Sequence, residues 1–287
     1  MKFHWLRCTT LLLLFLAAET LAAQATLNEY FNKQKNAPLL ICGHRGGSAG
    51  ELPENSLSRF TALATSFHPQ RVMIELDVRK DADGELFVLH DATLSRTTTG
   101  TDSIHLVHTN DLRQLHLKSG SGEVTAEKIP TFRAVLDWLA EYENVFLMVD
   151  VKGDCWRETT ELIREHGLTE RCLLLTFSLE TTQKAYALLP TAWVSALVKD
   201  AVDFRFLQAL DLPSGRRVAY INSRTPQRII KQLHRNRFVL TTDVSELRRA
   251  DAELLAEDFY RAFAKSQYLG ILITDFPLRV KGLLGGG

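Results

Sequence analysis

From Leu39 onward, short apolar runs alternate with amphipathic stretches, the pattern of strand–helix units repeated around a parallel sheet. The runs predict strands over residues 39–43, 71–78, 145–151, 172–177, 192–198, 217–222, 238–242 and 269–274. Between them, Pro53 and Asn55 open a helix carrying Leu57, Phe60, Leu63 and Ala64, with Asn55 as its N-cap. Further helices are expected over 131–141, over 156–166 with Gly167 at its C-terminus, and after residue 177 through Leu189. Thr225-Pro226 opens another, where the missing proline N–H is harmless. The Asp83-Gly84 turn sends the chain back through 86–89 as a hairpin arm. Residues 91–130 are polar and aperiodic and read as a long excursion, loosest at Gly120-Ser121-Gly122. Eight parallel strands with one inserted arm predict a TIM (β/α)8 barrel over 39–283, after a lead-in at 26–38 and before a flexible tail at 284–287.

Composition narrows the class without changing this architecture. An apolar content of 45% and a charged content of 24% suit a globular chain and exclude disorder. Thirty-four basic and 34 acidic residues cancel, so binding to nucleic acid through global charge is not expected. An anionic partner would have to meet a local cationic site. Residues 1–25 read as a secretory signal: Lys2 and Arg7 precede an apolar run at 11–18, and Ala23-Gln24-Ala25 offers a small-x-small cleavage site. That run is too short to span a bilayer. Export is expected, to the periplasm in a double-membraned bacterium, with no stable membrane anchor after cleavage. Cys8 lies before the apolar run, and Cys42, Cys155 and Cys172 match no zinc spacing. Cys42 inside the first strand and Cys172 at the start of a later one are expected as buried small apolar residues, although an oxidising compartment would allow a disulfide.

Candidate chemistry gathers at strand ends. Residues two apart on a strand share a face, so Glu75 and Asp77 point together into the barrel mouth, as do Asp150 and Lys152. An acid at a strand end is ordinarily salt-bridged. Three converging carboxylates, however, repel unless a cation sits among them, and carboxylate oxygens favour Mg²⁺ or Ca²⁺. His44 follows the first strand and His90 ends the arm, so both reach the same mouth as an acid–base pair. The histidines at 68, 105, 108, 116, 166 and 234 show no such spacing and are expected at the surface.

Several segments carry a resemblance. Gly43-His44-Arg45-Gly46-Gly47, Pro53-Glu54-Asn55-Ser56, Glu75-Leu76-Asp77 and Leu89-His90-Asp91 occur in this order. Thr93-Leu94-Ser95-Arg96-Thr97-Thr98, Ile129-Pro130-Thr131, Asp150-Val151-Lys152, Thr176-Phe177-Ser178 and Ile273-Thr274-Asp275-Phe276-Pro277 follow. Together, over roughly residues 39–280, the chain resembles the glycerophosphodiester phosphodiesterase family. The resemblance implies metal-dependent hydrolysis of deacylated phospholipids, a small-molecule phosphodiester class, to sn-glycerol 3-phosphate and an alcohol. It implies His44 and His90 as the catalytic histidines and Glu75, Asp77 and Asp150 as holders of one divalent cation, Mg²⁺ or Ca²⁺. Arg45 and Lys152 would meet the phosphate, with Glu54 either on the glycerol side or supporting a group that touches the substrate.

Two departures qualify this. Asp150 stands where relatives more often have glutamate, an arrangement similar to the sphingomyelinase D-like enzymes. It opens an alternative: phospholipase D-like cleavage of lysophospholipids or sphingomyelin, with an apolar entrance from the excursion or the Phe204–Phe206 region. Leu240-Thr241-Thr242-Asp243 stands where relatives usually show Trp-Thr-Val-Asn, so Phe177 or Phe276 would have to supply an aromatic wall. A barrel that binds phosphodiesters without turnover is a third reading.

Overall fold

The computed structural model describes residues 26–33, 37–47, 51–210, 212, 216–245 and 257–284. The expected signal at 1–25 and residues 285–287 lie outside them. The barrel begins with β1 (Leu40–Gly43) and β2 (Val72–Lys80), and the chain then turns back as the short β3 (Leu86–Val88). A hairpin follows, β4 (His116–Lys118) with β5 (Val124–Lys128). The barrel resumes with β6 (Val145–Val151), β7 (Cys172–Thr176), β8 (Trp193–Leu197), β9 (Arg217–Tyr220), β10 (Val239–Asp243) and β11 (Leu269–Thr274). β1, β2 and β6 to β11 are parallel neighbours in sequence order, and β1 pairs with both β2 and β11, which closes a TIM barrel. β3 lies antiparallel on β2, with Val78 opposite Val88, as the predicted arm requires.

The helices are α1 (Leu57–Phe67), α2 (Thr109–Leu112), α3 (Phe132–Glu141), α4 (Trp156–Glu165), α5 (Leu179–Leu188), α6 (Ala201–Ala209), α7 (Gln227–Arg235), α8 (Glu257–Ser266) and α9 (Pro277–Leu284). Expected boundaries differ by a residue or two at most ends, where helices fray and strands lose partners. The sequence pattern did not predict α2, α6, α8 or α9. Leu284 ends α9 and is not part of a tail.

Alternation along each strand divides the apolar residues into two cores. Cys42, Met73, Phe146, Met148, Leu173, Leu175, Trp193 and Tyr220 fill the barrel interior. Their neighbours Ile74, Leu76, Leu147, Val149 and Leu174 face outward and pack with Phe60 of α1 and Val135 and Leu136 of α3. Both faces are buried, which explains the near-continuous apolar runs. Cys42, Cys155 and Cys172 are buried free thiols.

The lower end of the barrel, where the strands start, is plugged by residues preceding β1. Leu27 is buried in the interior core, and Tyr30 packs edge-on against Phe146 with ring centroids 5.9 Å apart. The Tyr30 hydroxyl donates to the Pro38 carbonyl at 2.9 Å, and Phe31 leans on Trp193. The lead-in is therefore part of the barrel core.

The excursion is ordered. Leu94, Ile104, Leu112, Leu117 and Ile129 bury themselves with Phe87 and Leu89 as a small separate core. Its elements are three to five residues long, too short to leave a period in the sequence.

Removing the plug's aromatic anchor tests this packing. Tyr30→Ala is expected to cost about 3 kcal/mol of unfolding free energy, read from urea denaturation. A loss below about 0.5 kcal/mol would show that the lead-in is dispensable to the core.

Candidate active site

The site grows from one register. β2 and β6 pair so that Asp77 lies opposite Asp150. Met73, Glu75 and Asp77 share the inward face of β2, and Phe146, Met148 and Asp150 that of β6. The interior thus changes from apolar to acidic toward the strand C-termini. Glu75, Asp77 and Asp150 are buried, at 3%, 1% and 6% exposure, and each offers an oxygen within 4.8 Å of the others. Burial and the neighbouring Asp77 push Glu75 up to about 8. Burial also raises Asp150. For Asp77 burial is outweighed by Lys152, His90, Asn55 and Arg45, which hold it below the usual carboxylate range. This crowded, hard-oxygen donor set fits a divalent cation, as the spacing of the three acids predicts.

β1 ends in a tight turn that serves the same acids. Arg45 is left-handed (φ 52°), and its backbone N–H donates to Glu75 Oε2 at 2.8 Å. Gly46 follows at φ 83°, where a Cβ would meet the Phe60 ring at 2.8 Å, so only glycine fits. Asn55 also adopts a left-handed conformation (φ 55°). Its N–H donates to the Arg45 carbonyl, and its Nδ2 donates to Asp77 Oδ2 at 2.9 Å. It is not the helix cap expected from sequence. Ser56 takes that place and accepts from the Arg59 N–H, because Asn55 is drawn to the buried carboxylate.

The two histidines are held alike. His44 Nδ1 lies 2.7 Å from Asp275 Oδ1, and His90 Nδ1 lies 2.7 Å from Asp91 Oδ1. A carboxylate accepts, so Nδ1 carries the proton and Nε2 is left for chemistry. Asp275 reaches His44 because β11 lies beside β1, with Thr274 opposite Gly43. His90 is delivered by the arm: the Leu89 N–H donates to the Asp77 carbonyl, and Arg79 Nε donates to the His90 carbonyl. Burial alone would lower the His44 pKa, but the Asp275 bond and the charges of Glu75 and Asp243 raise it to about 9. His44 acts on Glu75, whereas His90 acts on Asp77 and Asp150. Both imidazoles therefore lie near enough to the acids to act on their charges.

Cations complete the ring. Lys152 Nζ sits 2.5 Å from Asp150 and 3.1 Å from Asp77. Arg45 donates from Nη1 to Glu54 at 3.1 Å, with Nε 3.7 Å from Asp77. Arg96, from the excursion, donates to both Glu54 and Asp91. All eight expected site residues meet at this mouth. Three that sequence reasoning assigned no role, Asp91, Asp275 and Arg96, join them. Each lies in a segment that carried the resemblance, and Asp91 directly follows His90. Asp275, by contrast, meets a partner 231 residues away, which no local pattern encodes.

Other expectations change. Phe204 is buried in the outer core with Leu207 and Ile230, and Phe206 packs beside it, so this region forms no apolar entrance. Leu240 is buried in the same layer, beneath Ile229 and Leu233 of α7, and does not face the mouth. Phe177, 46% exposed just beyond β7, stands edge-on to Tyr220 at 5.7 Å and supplies an aromatic pair there. Phe276 is half-buried. His68, His105, His108 and His234 are exposed as expected. His116 and His166 are half-buried instead, against the Thr125 and Leu162 carbonyls.

Buried acids and two carboxylate-bound imidazoles gather at the C-terminal mouth of this (β/α)8 barrel, the end at which enzymes of this fold carry their active sites. The match to the Glycerophosphoryl diester phosphodiesterase family covers residues 44–240, more than half of the chain, which belongs to that family and is a phosphoric diester hydrolase. The Bacillus subtilis protein YhdW is 26% identical over 250 residues, 83% of this chain and 95% of its own length. A crystal structure of a glycerophosphoryl diester phosphodiesterase from Parabacteroides distasonis superposes with a TM-score of 0.78 at 23% identity, covering 90% of each chain. An Oleispira antarctica phosphodiesterase, solved with the product sn-glycerol-3-phosphate, matches with a TM-score of 0.68 at 21% identity, over 86% of this chain and 97% of its own.

The His44–Asp275 pair can be tested by titration. Asp275→Asn is expected to bring the His44 pKa down from about 9, followed through its ring C–H resonance in metal-free protein. The folded value lies above the ordinary 6.5. The pairing therefore adds stability that is complete below about pH 6.5 and is lost as pH rises through about 9. An unchanged titration in the variant would show that Asp275 is not what sets the imidazole.

Proposed function

We propose that this protein hydrolyses glycerophosphodiesters to sn-glycerol 3-phosphate and an alcohol, using His44 and His90 as acid and base. One observation carries the reading: two imidazoles, each tied to a carboxylate through Nδ1, share the barrel mouth with three buried acids whose oxygens lie within 4.8 Å of one another. The product-bound Oleispira neighbour supports the choice of product. Glu75, Asp77 and Asp150 would hold one divalent cation, Mg²⁺ or Ca²⁺, which when bound would supply positive charge to a phosphodiester.

The chain's own groups do the rest. One Nε2 takes the proton of the attacking hydroxyl, from water or from the glycerol itself, as the new P–O bond forms. The other ring, entering as imidazolium with both nitrogens protonated, gives its Nε2 proton to the departing alcohol oxygen as the old P–O bond breaks. Where glycerol attacks first, water then opens the cyclic phosphate, so both routes add one water overall. Lys152 and Arg45 steady the charge that builds on phosphorus oxygens, a contribution of about 3 kcal/mol for a well-placed donor. Asp150, one methylene shorter than glutamate, has Lys152 bound to its carboxylate, which draws that ammonium to the same spot.

A small substrate suits the mouth better than a lipid. Phe204 and Phe206 are packed in the outer core, and Leu94, Ile104, Leu112 and Leu117 of the excursion are buried in their own. Glycerophosphocholine is therefore expected to turn over faster than lysophosphatidylcholine. Excess chelator should abolish turnover, and His44→Ala or His90→Ala should each lower kcat by about 100-fold or more in folded protein. Full activity in a folded His90→Ala variant would remove the acid–base assignment. Binding without any turnover in saturating Mg²⁺ and Ca²⁺ would favour a non-catalytic barrel.

The leader pattern at residues 1–25 supports export, to the periplasm where the host has one. N-terminal sequencing of protein recovered from outside the cytoplasm should begin at Thr26. A chain that stays in the cytoplasm with Met1 intact would refute this.

A further inference from the structure

Besides Asp91 at its first position, which holds His90, the excursion over residues 91–130 sends Arg96 back to the mouth. Arg96 Nε and Nη2 donate to Asp91 at 2.6 and 3.0 Å, while Nη1 and Nη2 donate to Glu54 at 2.9 and 2.8 Å. A guanidinium has five N–H donors. Four are spent on two carboxylates, whose charges outweigh its own, so Arg96 is not a free receptor for substrate phosphate. Each carboxylate also holds a site group. Asp91 Oδ1 takes the His90 Nδ1, and Glu54 Oε1 takes Arg45 Nη1. A continuous chain of charged contacts thus runs His90–Asp91–Arg96–Glu54–Arg45 around the mouth.

The excursion is built to present this fork. The Thr98 N–H and hydroxyl both donate to the Leu94 carbonyl, closing a turn with Arg96 at its centre. The Lys118 N–H donates to the Thr97 carbonyl and the Thr99 N–H to that of His116, tying the turn to β4. Leu94 is buried in the excursion's core, which also includes Leu89, next to His90. Lysine could not do the same work: its ammonium lacks the planar fork that grips two carboxylates side by side.

We propose that Arg96 is a positioning residue, which sets the His90 ring through Asp91 and the Arg45 guanidinium through Glu54, and that holding it in place is what the excursion does for the reaction. This rests on the reaction assigned above, and the test separates the two. In metal-saturated full-length protein acting on glycerophosphocholine, Asp91→Asn is expected to lower kcat and Glu54→Gln to raise KM. Arg96→Met should do both, with kcat down roughly 10- to 100-fold, the scale of a misplaced reacting group.

Coupling distinguishes positioning from a general loss of stability. Adding Asp91→Asn to Arg96→Met should cost no more than about twofold further, because one chain of contacts is already broken. Arg96→Lys, which keeps the charge should the methionine variant fold poorly, is expected to remain impaired in kcat or KM. In metal-free protein, the His90 Nδ1–H proton resonance should sharpen on the Asp91 hydrogen bond in wild type and broaden in Arg96→Met and Arg96→Lys. Wild-type kinetics from folded Arg96→Lys, fully multiplicative effects in the double variant, or an unchanged His90 resonance would each overturn the proposal. A wild-type protein that turns over no glycerophosphodiester would defeat the assigned reaction instead, and the resonance would still decide the role of Arg96.

Discussion

The electrostatic crowding of Glu75, Asp77 and Asp150 is the constraint to which the mouth answers. The β2–β6 register sets Asp77 beside Asp150 in a buried place where like charges are costly. Lys152 lies between the two aspartates, Asn55 donates an amide to Asp77, and the Arg45 N–H reaches Glu75. The left-handed backbone at Arg45 and Asn55 follows from this demand: it aims the Arg45 backbone N–H at Glu75 and the Asn55 side-chain amide at Asp77. Such strain is tolerated where surrounding contacts over-determine it. A site already arranged around concentrated negative charge suits the divalent cation proposed to bind there.

A second layer of carboxylates governs the imidazoles. Asp275 and Asp91 fix which nitrogen of His44 and His90 carries a proton and which way each ring faces. They do so from opposite ends of the barrel's connectivity. Asp275 follows the last strand and closes onto the first, while Asp91 lies on the arm hung from β2. Barrel closure and the arm are thus both needed before the two rings can face one cluster, and the site is available only to the finished fold.

The apolar half of the protein supports this by exclusion. Met73, Phe146, Met148 and Trp193 fill the barrel below the acids, and Leu27 and Tyr30 stop its lower end. With the interior filled, the polar groups are confined to the C-terminal mouth, where loops can reach them. The outer layer binds strands to helices with a separate set of side chains, so loops at the mouth can differ without disturbing the core.

Much of this was legible in the sequence because it depends on period and adjacency. Strand alternation placed Glu75 with Asp77 and Asp150 with Lys152 on shared faces, the apolar runs marked all eight barrel strands, and the Asp83-Gly84 turn announced the arm. Burial of Cys42 and Cys172, both on strands, was equally readable. What the sequence could not show were partnerships between residues far apart in the chain. Nothing local joins His44 to Asp275, Arg96 to Glu54, or Asn55 to Asp77. The last of these took Asn55 from the capping role its local pattern predicted and passed that role to Ser56. Likewise, Phe204 and Leu240 are apolar in any reading, and only the packing of α6 and α7 against the barrel decided that they face the core. Local period depends on neighbours a few residues away, whereas hydrogen-bond partners and core assignment depend on which strands lie side by side after closure.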